Sequence, residues 1–262
     1  MQRTLAFLPL LCACTTGDDA AGPDAGDDPT CTQAADFLDV STGSAGADYP
    51  DPELSVTCDD DEVIVESNGI PNVEFEQVTP NALQEHDHVF RLPRVPAPAA
   101  ATTAVPLGGE VAVAVNGMMI FGPTEAPQAG YRDPILDQLM DYCQGHTAPG
   151  GMYHYHARPD CLFTDPSGET ALVVGYALDG YPILWGGDVT SSWQRIAEQF
   201  DADGDPIYDN TPEGSWDVHE YVAGSGDLDE CNGRELAGGG YAYYATDTFP
   251  YFLGCYRGTP NL

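Results

Sequence analysis

The chain has 262 residues, with 42 acidic side chains against 8 basic ones, all of them arginine, and a formal net charge of −34. Such a charge repels polyphosphates and anionic membrane surfaces, which excludes nucleic-acid binding and docking through a basic patch. Hydrophobic residues make up 42%, enough for a core, and 29 Gly with 22 Pro favour short strands and frequent turns over long helices.

Residues 1–13 carry one arginine, Arg3, ahead of an apolar run too short to cross a bilayer as a helix, and they read as a cleavable export signal. The run ends Leu11-Cys12-Ala13-Cys14, the small residue and cysteine of a bacterial lipoprotein signal. Cleavage before Cys14 would leave that cysteine to carry the lipid; an ordinary secretory peptide is the alternative. Residues 14–30 are rich in Asp, Gly, Ala and Pro and read as an acidic flexible tether. These features predict an outer-membrane or cell-surface lipoprotein, with a periplasmic or secreted protein as the alternative, touching membrane only through its N-terminal lipid.

The folded domain is expected over 31–258, as an N-terminal β region (31–107) and a β body (108–258). Apolar alternation or β-branched runs predict strands at Glu62–Glu66, Val73–Val78, His86–Leu92, Val111–Val115, Ala171–Leu178 and Ser215–Val222. Between the two regions, residues 91–109 are rich in Pro and Ala and read as a loop or polyproline connector. Asp133 as N-cap and Pro134 as first helical residue predict a helix through Tyr142, while 191–200 fits a helix or a strand. The fold class is therefore mainly β with one or two short helices.

Export also bears on the cysteines. With Cys12 removed and Cys14 lipidated, six remain, an even number that in an oxidising compartment reads as three disulfides. They fall in close pairs, which predicts Cys31–Cys58, Cys143–Cys161 and Cys231–Cys255; zinc–thiolate is the rival, and no CxxC pair supports it.

Aligning the two later pairs exposes an internal repeat. DYCQGHTAPGGMYHYHARPDC and DECNGRELAGGGYAYYATDTFPYFLGC both place x-Gly after the first cysteine and a tyrosine ten residues beyond it, Tyr153 and Tyr241. Upstream of each lies a matching apolar stretch, VNGMMIFGP from Val115 and LDGYPILWG from Leu178, with an Asn-Gly or Asp-Gly turn. Two related β-rich halves, stapled by disulfides, are expected.

Five of the six histidines fall in two places: His86 and His88 in EHDHVF, and His154 and His156 in MYHYHA with His146 upstream. On a strand, residues i and i+2 share a face, so each His-x-His projects two imidazoles side by side, and Tyr153 and Tyr155 turn the other way. Neutral imidazole suits copper or zinc, with copper ahead of zinc for an exported all-histidine site. In the second copy His146, His154 and His156 are matched by Arg234, Ala242 and Tyr244, so that half cannot ligate through this motif. Arg234, Tyr243 and Tyr244, with Tyr153, Tyr155 and Asp179, are candidates for a pocket wall contacting a small anionic or sugar-like ligand. Asp201, Asp203 and Asp205 alternate as calcium ligands do, but the loop lacks the glycine and glutamate of a calcium-binding loop, and a strand–turn–strand explains it as well. No GxSxG, HExxH, P-loop or GxGxxG motif is present.

The run CQGHTAPGGMYHYHARPDCL, with VNGMMIFGP before it, GYALDGYPIL after it, and LDECNGR through FPYFLGCYRG at the end, resembles the bacterial YHYH-domain family. The resemblance covers roughly 67–258 and implies an exported domain with a histidine-based site, onto which His146, Tyr153, His154, Tyr155 and His156 carry over. Many members repeat YHYH in the second half, where this chain has YAYY. The expectation is an exported, lipid-anchored domain binding copper or zinc through His146, His154 and His156 with the His86/His88 pair. The alternatives are a secreted hydrolase or oxidase using the same histidines, with Asp179 or another carboxylate as acid and base, and a glycan-binding or adhesion module that uses no metal.

Overall fold

The computed structural model describes residues 31–163, 171–186, 188–196 and 214–262. The export signal, the tether with Cys14, and the Asp201, Asp203 and Asp205 loop lie outside the described residues.

The N-terminal region forms a three-stranded antiparallel meander of β1 (Leu54–Cys58), β2 (Glu62–Ser67) and β3 (His88–Pro93). Alternation in β2 buries Val63 and Val65. β4 (Thr103–Ala104), in the Pro/Ala connector, pairs with the C-terminal β15 (Cys255–Tyr256) and ties the chain's end to its middle. The body contributes β5 (Glu110–Ala114), β6 (Met119–Phe121), β7 (Gly145–Thr147), β8 (Tyr153–Tyr155), β9 (Leu172–Ala177), β10 (Pro182–Trp185), β13 (Gly233–Glu235) and β14 (Tyr241–Tyr244) to one sheet. A separate two-stranded antiparallel sheet pairs β11 (Trp193–Arg195) with β12 (His219–Tyr221), and β12 follows the short helix α1 (Gly214–Asp217).

The eight-stranded sheet runs β13-β14-β10-β9-β5-β6-β8-β7, and its pairing senses are the same read from either end. β5 and β9 meet antiparallel at the centre, with Val113 opposite Tyr176. Each pairs antiparallel with its successor, each successor runs parallel to the third strand, and each third strand closes antiparallel on the edge strand. The matched turns explain the first antiparallel step. Gly117 and Gly180 follow Asn116 and Asp179 at φ 80° and 85°, a left-handed conformation that glycine adopts without steric cost.

Each half is pinned by one aspartate. Asp141 Oδ1 accepts the amides of Cys143 and Gly145, at 2.8 and 2.9 Å, and its Oδ2 accepts Tyr153 Oη at 2.7 Å. Asp229 Oδ1 accepts Cys231 N, Gly233 N and Tyr241 Oη in the corresponding places. Gly145 and Gly233 are required there, since a Cβ on either would stand 2.4 or 2.1 Å from the tyrosine hydroxyl. Tyr155 and Tyr243 complete the correspondence by bonding Asn116 and Asp179 in the two turns.

The three disulfides are Cys31–Cys58, Cys143–Cys161 and Cys231–Cys255, as the spacing predicts, each worth about 3 kcal/mol through the unfolded chain.

Three expectations are corrected. Asp133 does cap a turn, accepting Ile135 N and Leu136 N, but no helix follows, because Gln138 at φ 56° leaves the helical region after one turn. Residues 73–78 are irregular. Their aromatic, Phe75, packs edge-on against Tyr153 and Tyr49 without a strand partner. The stretch Ser215–Val222 begins as helix, with Ser215 N and Oγ on Tyr131 O, and becomes strand only at His219. In the undecided stretch, residues 193–195 are strand β11.

Candidate metal centre

The hairpin of β7 and β8 places His146 directly opposite His154. His156, two residues past His154, returns to the same face, so three imidazoles stand together on one side of the hairpin. Tyr153 and Tyr155 project from the other side into the core, 1% and 0% exposed.

Each histidine is oriented by a backbone carbonyl. Nδ1 of His146 lies 3.0 Å from Leu139 O, that of His154 3.1 Å from Met152 O, and that of His156 2.7 Å from Gly122 O. A carbonyl only accepts, so each Nδ1 is the donor, and a ring that is neutral then has its lone pair on Nε2. These lone pairs converge: His154 Nε2 and His156 Nε2 are 3.0 Å apart, and one ligand atom from each of the three histidines falls within 4.8 Å of the others. Phe121 stacks on His154, with centroids 3.9 Å apart.

All three rings are buried, 4% exposed or less. Burial first, and then His156 and His146 beside it, hold His154 well below the usual imidazole pKa. Burial and His146 push His156 down to about 3, against the opposing bond to Gly122 O. Both rings are therefore neutral at pH 7, the state in which imidazole ligates a metal.

A fourth group was not legible in the sequence. Glu125, in the loop after β6, brings Oε1 to 3.2 Å from His146 Nε2 and 3.9 Å from His156 Nε2. That oxygen is buried and accepts no hydrogen bond. The chain has 42 acidic residues, so one more carboxylate carries no local signal; only its place three residues after Gly122, at the end of a strand beside the histidine hairpin, marks it.

The structure leaves the other predicted pair outside this cluster. His86 and His88 stack on each other, centroids 5.3 Å apart, at the start of β3. His86 Nε2 reaches Gly150 O in the loop of the β7–β8 hairpin at 3.1 Å, and His88 lies against Gly69. They share the His-x-His pattern, but their strand belongs to the three-stranded sheet, so they brace the hairpin's loop from outside.

Of the residues considered as a pocket wall, all but the exposed Arg234 are buried. Tyr153, Tyr155, Tyr243, Tyr244 and Asp179 are all buried, and the hydroxyls of Tyr153, Tyr155 and Tyr243 are committed to Asp141, Asn116 and Asp179. In the second half Arg234 pairs with Ala242 across β13 and β14, as His146 pairs with His154, and its guanidinium lies 4.6 Å from the Tyr244 ring centroid. Leu228, Leu184, Val189 and Leu236 pack around Ala242 and Tyr244. Apolar packing and an arginine thus stand where the first half has its three histidines.

The family model described as YHYH protein matches residues 89–258, well over half of the chain and inclusive of every residue of the cluster. No curated protein and no solved structure matches the chain.

Proposed function

We propose that this chain, which belongs to the YHYH protein family, holds a transition-metal ion, copper or zinc, through Nε2 of His146, His154 and His156. The observation that carries the reading is the convergence of three buried Nε2 atoms whose partner nitrogens are all spent on backbone carbonyls. Between His154 and His156 this leaves two lone pairs facing each other at 3.0 Å, and a cation resolves their repulsion. Imidazole nitrogen at this density suits copper and zinc over calcium or magnesium, which prefer oxygen.

The ion would be held at the cell envelope. Three disulfides support an oxidising compartment. The 1–13 signal and Cys14 support a lipid anchor that reaches the membrane through its acyl chains alone, with the acidic tether of 14–30 as spacer. The negative charge of the chain draws cations toward it and disfavours anionic ligands.

The test is metal content. The full chain, produced in an oxidising compartment, is expected to bind one equivalent of copper or zinc per chain by mass spectrometry, and the His154→Ala plus His156→Ala variant none. Sub-stoichiometric metal in the wild type, or unchanged content in the variant, overturns the reading.

A further inference from the structure

We propose that Glu125 Oε1 is the fourth ligand of the same centre, making it a closed site for a divalent ion with no position left for a reacting water. The inference rests on the histidine reading above and goes beyond it, because it decides between holding an ion and using one for catalysis.

Glu125 Oε1 stands beside two of the three histidine nitrogens, those of His146 and His156. It lies 3.2 Å from His146 Nε2 and 3.9 Å from His156 Nε2, yet it accepts no hydrogen bond. Around one tetrahedral ion at ordinary metal–nitrogen and metal–oxygen lengths, donor atoms stand about 3.3 Å apart. The 3.0 Å between His154 and His156 and the 3.2 Å between His146 and Glu125 fall just under that spacing, and the 3.9 Å between His156 and Glu125 exceeds it.

The loop is built to hold the carboxylate there. Glu125 N bonds Arg132 O at 2.7 Å, Thr124 Oγ1 bonds Leu107 O at 3.0 Å, and Gly122 O fixes His156. One short segment therefore orients both an imidazole and the carboxylate. The Glu125 side chain is 17% exposed against 5% and 1% for those of His146 and His156, although its Oε1 is buried.

Charge gives the selectivity. Imidazole nitrogen serves Cu(I) as well as Cu(II) and Zn(II), whereas a carboxylate adds one negative charge and a harder oxygen, which favours the divalent ion. With four protein ligands in place the tetrahedron is complete, which is the arrangement of structural sites; catalytic sites keep one position open.

The test compares the full-length wild type with Glu125→Gln, Glu125→Asp and the His154→Ala plus His156→Ala variant, titrated separately with Zn(II), Cu(II) and, under reducing conditions, Cu(I). Glu125→Gln is expected to lower Zn(II) and Cu(II) affinity about 100-fold or more while Cu(I) affinity moves less than about 10-fold, and Glu125→Asp to recover part of the loss. Co(II)-loaded wild type is expected to show the intense visible bands of a tetrahedral ion, and Glu125→Gln to lose them. Unchanged Zn(II) affinity and Co(II) bands in Glu125→Gln, beside lost binding in the double histidine variant, overturn the role of Glu125 and leave the histidine reading standing. Failure of the wild type to bind any of the ions overturns the histidine reading and this inference with it.

Discussion

His154 Nε2 faces His156 Nε2 at 3.0 Å while both rings give their Nδ1 protons to backbone carbonyls. Two lone pairs thus oppose each other inside the protein, and the metal-free fold carries that repulsion. Loading zinc or copper to 100 times the dissociation constant is expected to stabilise the wild type by about 2.7 kcal/mol in denaturant unfolding and the His154→Ala plus His156→Ala variant not at all. An equal gain in both proteins would show that metal acts elsewhere.

The metal-free protein should lose stability on mild acidification. An unfolded histidine takes its proton near pH 6.5, whereas burial and neighbouring imidazoles hold folded His154 well below that value and His156 at about 3. The unfolded state therefore binds more protons as pH falls below about 6.5, and folding weakens by up to a few kcal/mol on the way toward pH 4. Buried Asp133 and Asp179, whose pKa values burial raises, act in the opposite sense at lower pH. The urea midpoint between pH 7 and 5 is the cleanest readout. It should fall more steeply in the wild type than in the double histidine variant, which keeps only the contributions of His88 and His219, both also held low mainly by burial; parallel falls would refute the assignment.

The His86/His88 pair supplies a contrast. Replacing both by alanine is expected to leave metal content at the wild-type value and to cost about 0.5–1.5 kcal/mol, mainly through the lost bond from His86 Nε2 to Gly150 O. Loss of metal in that variant would bring the pair back into the centre.

Asp141 and Asp229 hold equivalent hairpins, only one of which carries histidines. Asp141→Ala and Asp229→Ala should each destabilise by about 3 kcal/mol, since each strands two amides and a tyrosine hydroxyl. Zinc affinity, measured where both variants remain folded, should drop only for Asp141→Ala. Equal drops would mean that the halves are coupled more tightly than their shared β5–β9 seam implies.

Much of this architecture was legible because its signals are local. The central strands stand where apolar runs such as Glu110–Ala114 and Leu172–Ala177 put them, and the cysteine spacing gave all three disulfides. His154 and His156 followed from a period of two. What was missed depended on distant partners. Gln138 at φ 56° cut a helix that Asp133 and Pro134 announced, and Phe75 is held by ring contacts instead of strand pairing. Glu125 joins His146 across 21 positions with no pattern linking them. His86 and His88 carried the right motif on a strand of the other sheet.

Strand β7, which carries His146, is the last of its sheet, and β13, with Arg234, is the last at the other side. A terminal strand offers bare amides and carbonyls to any passing chain, and proteins prone to fibrous association fail at such borders. The two borders are guarded differently. β13 exposes Arg234 and Glu235, charges that discourage a neighbour. β7 is buried, and its Thr147 carbonyl is taken by Thr79 Oγ1 and Asn81 Nδ2 from the upstream loop. The segment 79–86, which also sends Leu83 into the core, therefore serves as a seal against self-association on the strand that carries His146, and trimming it would expose the protein to aggregation.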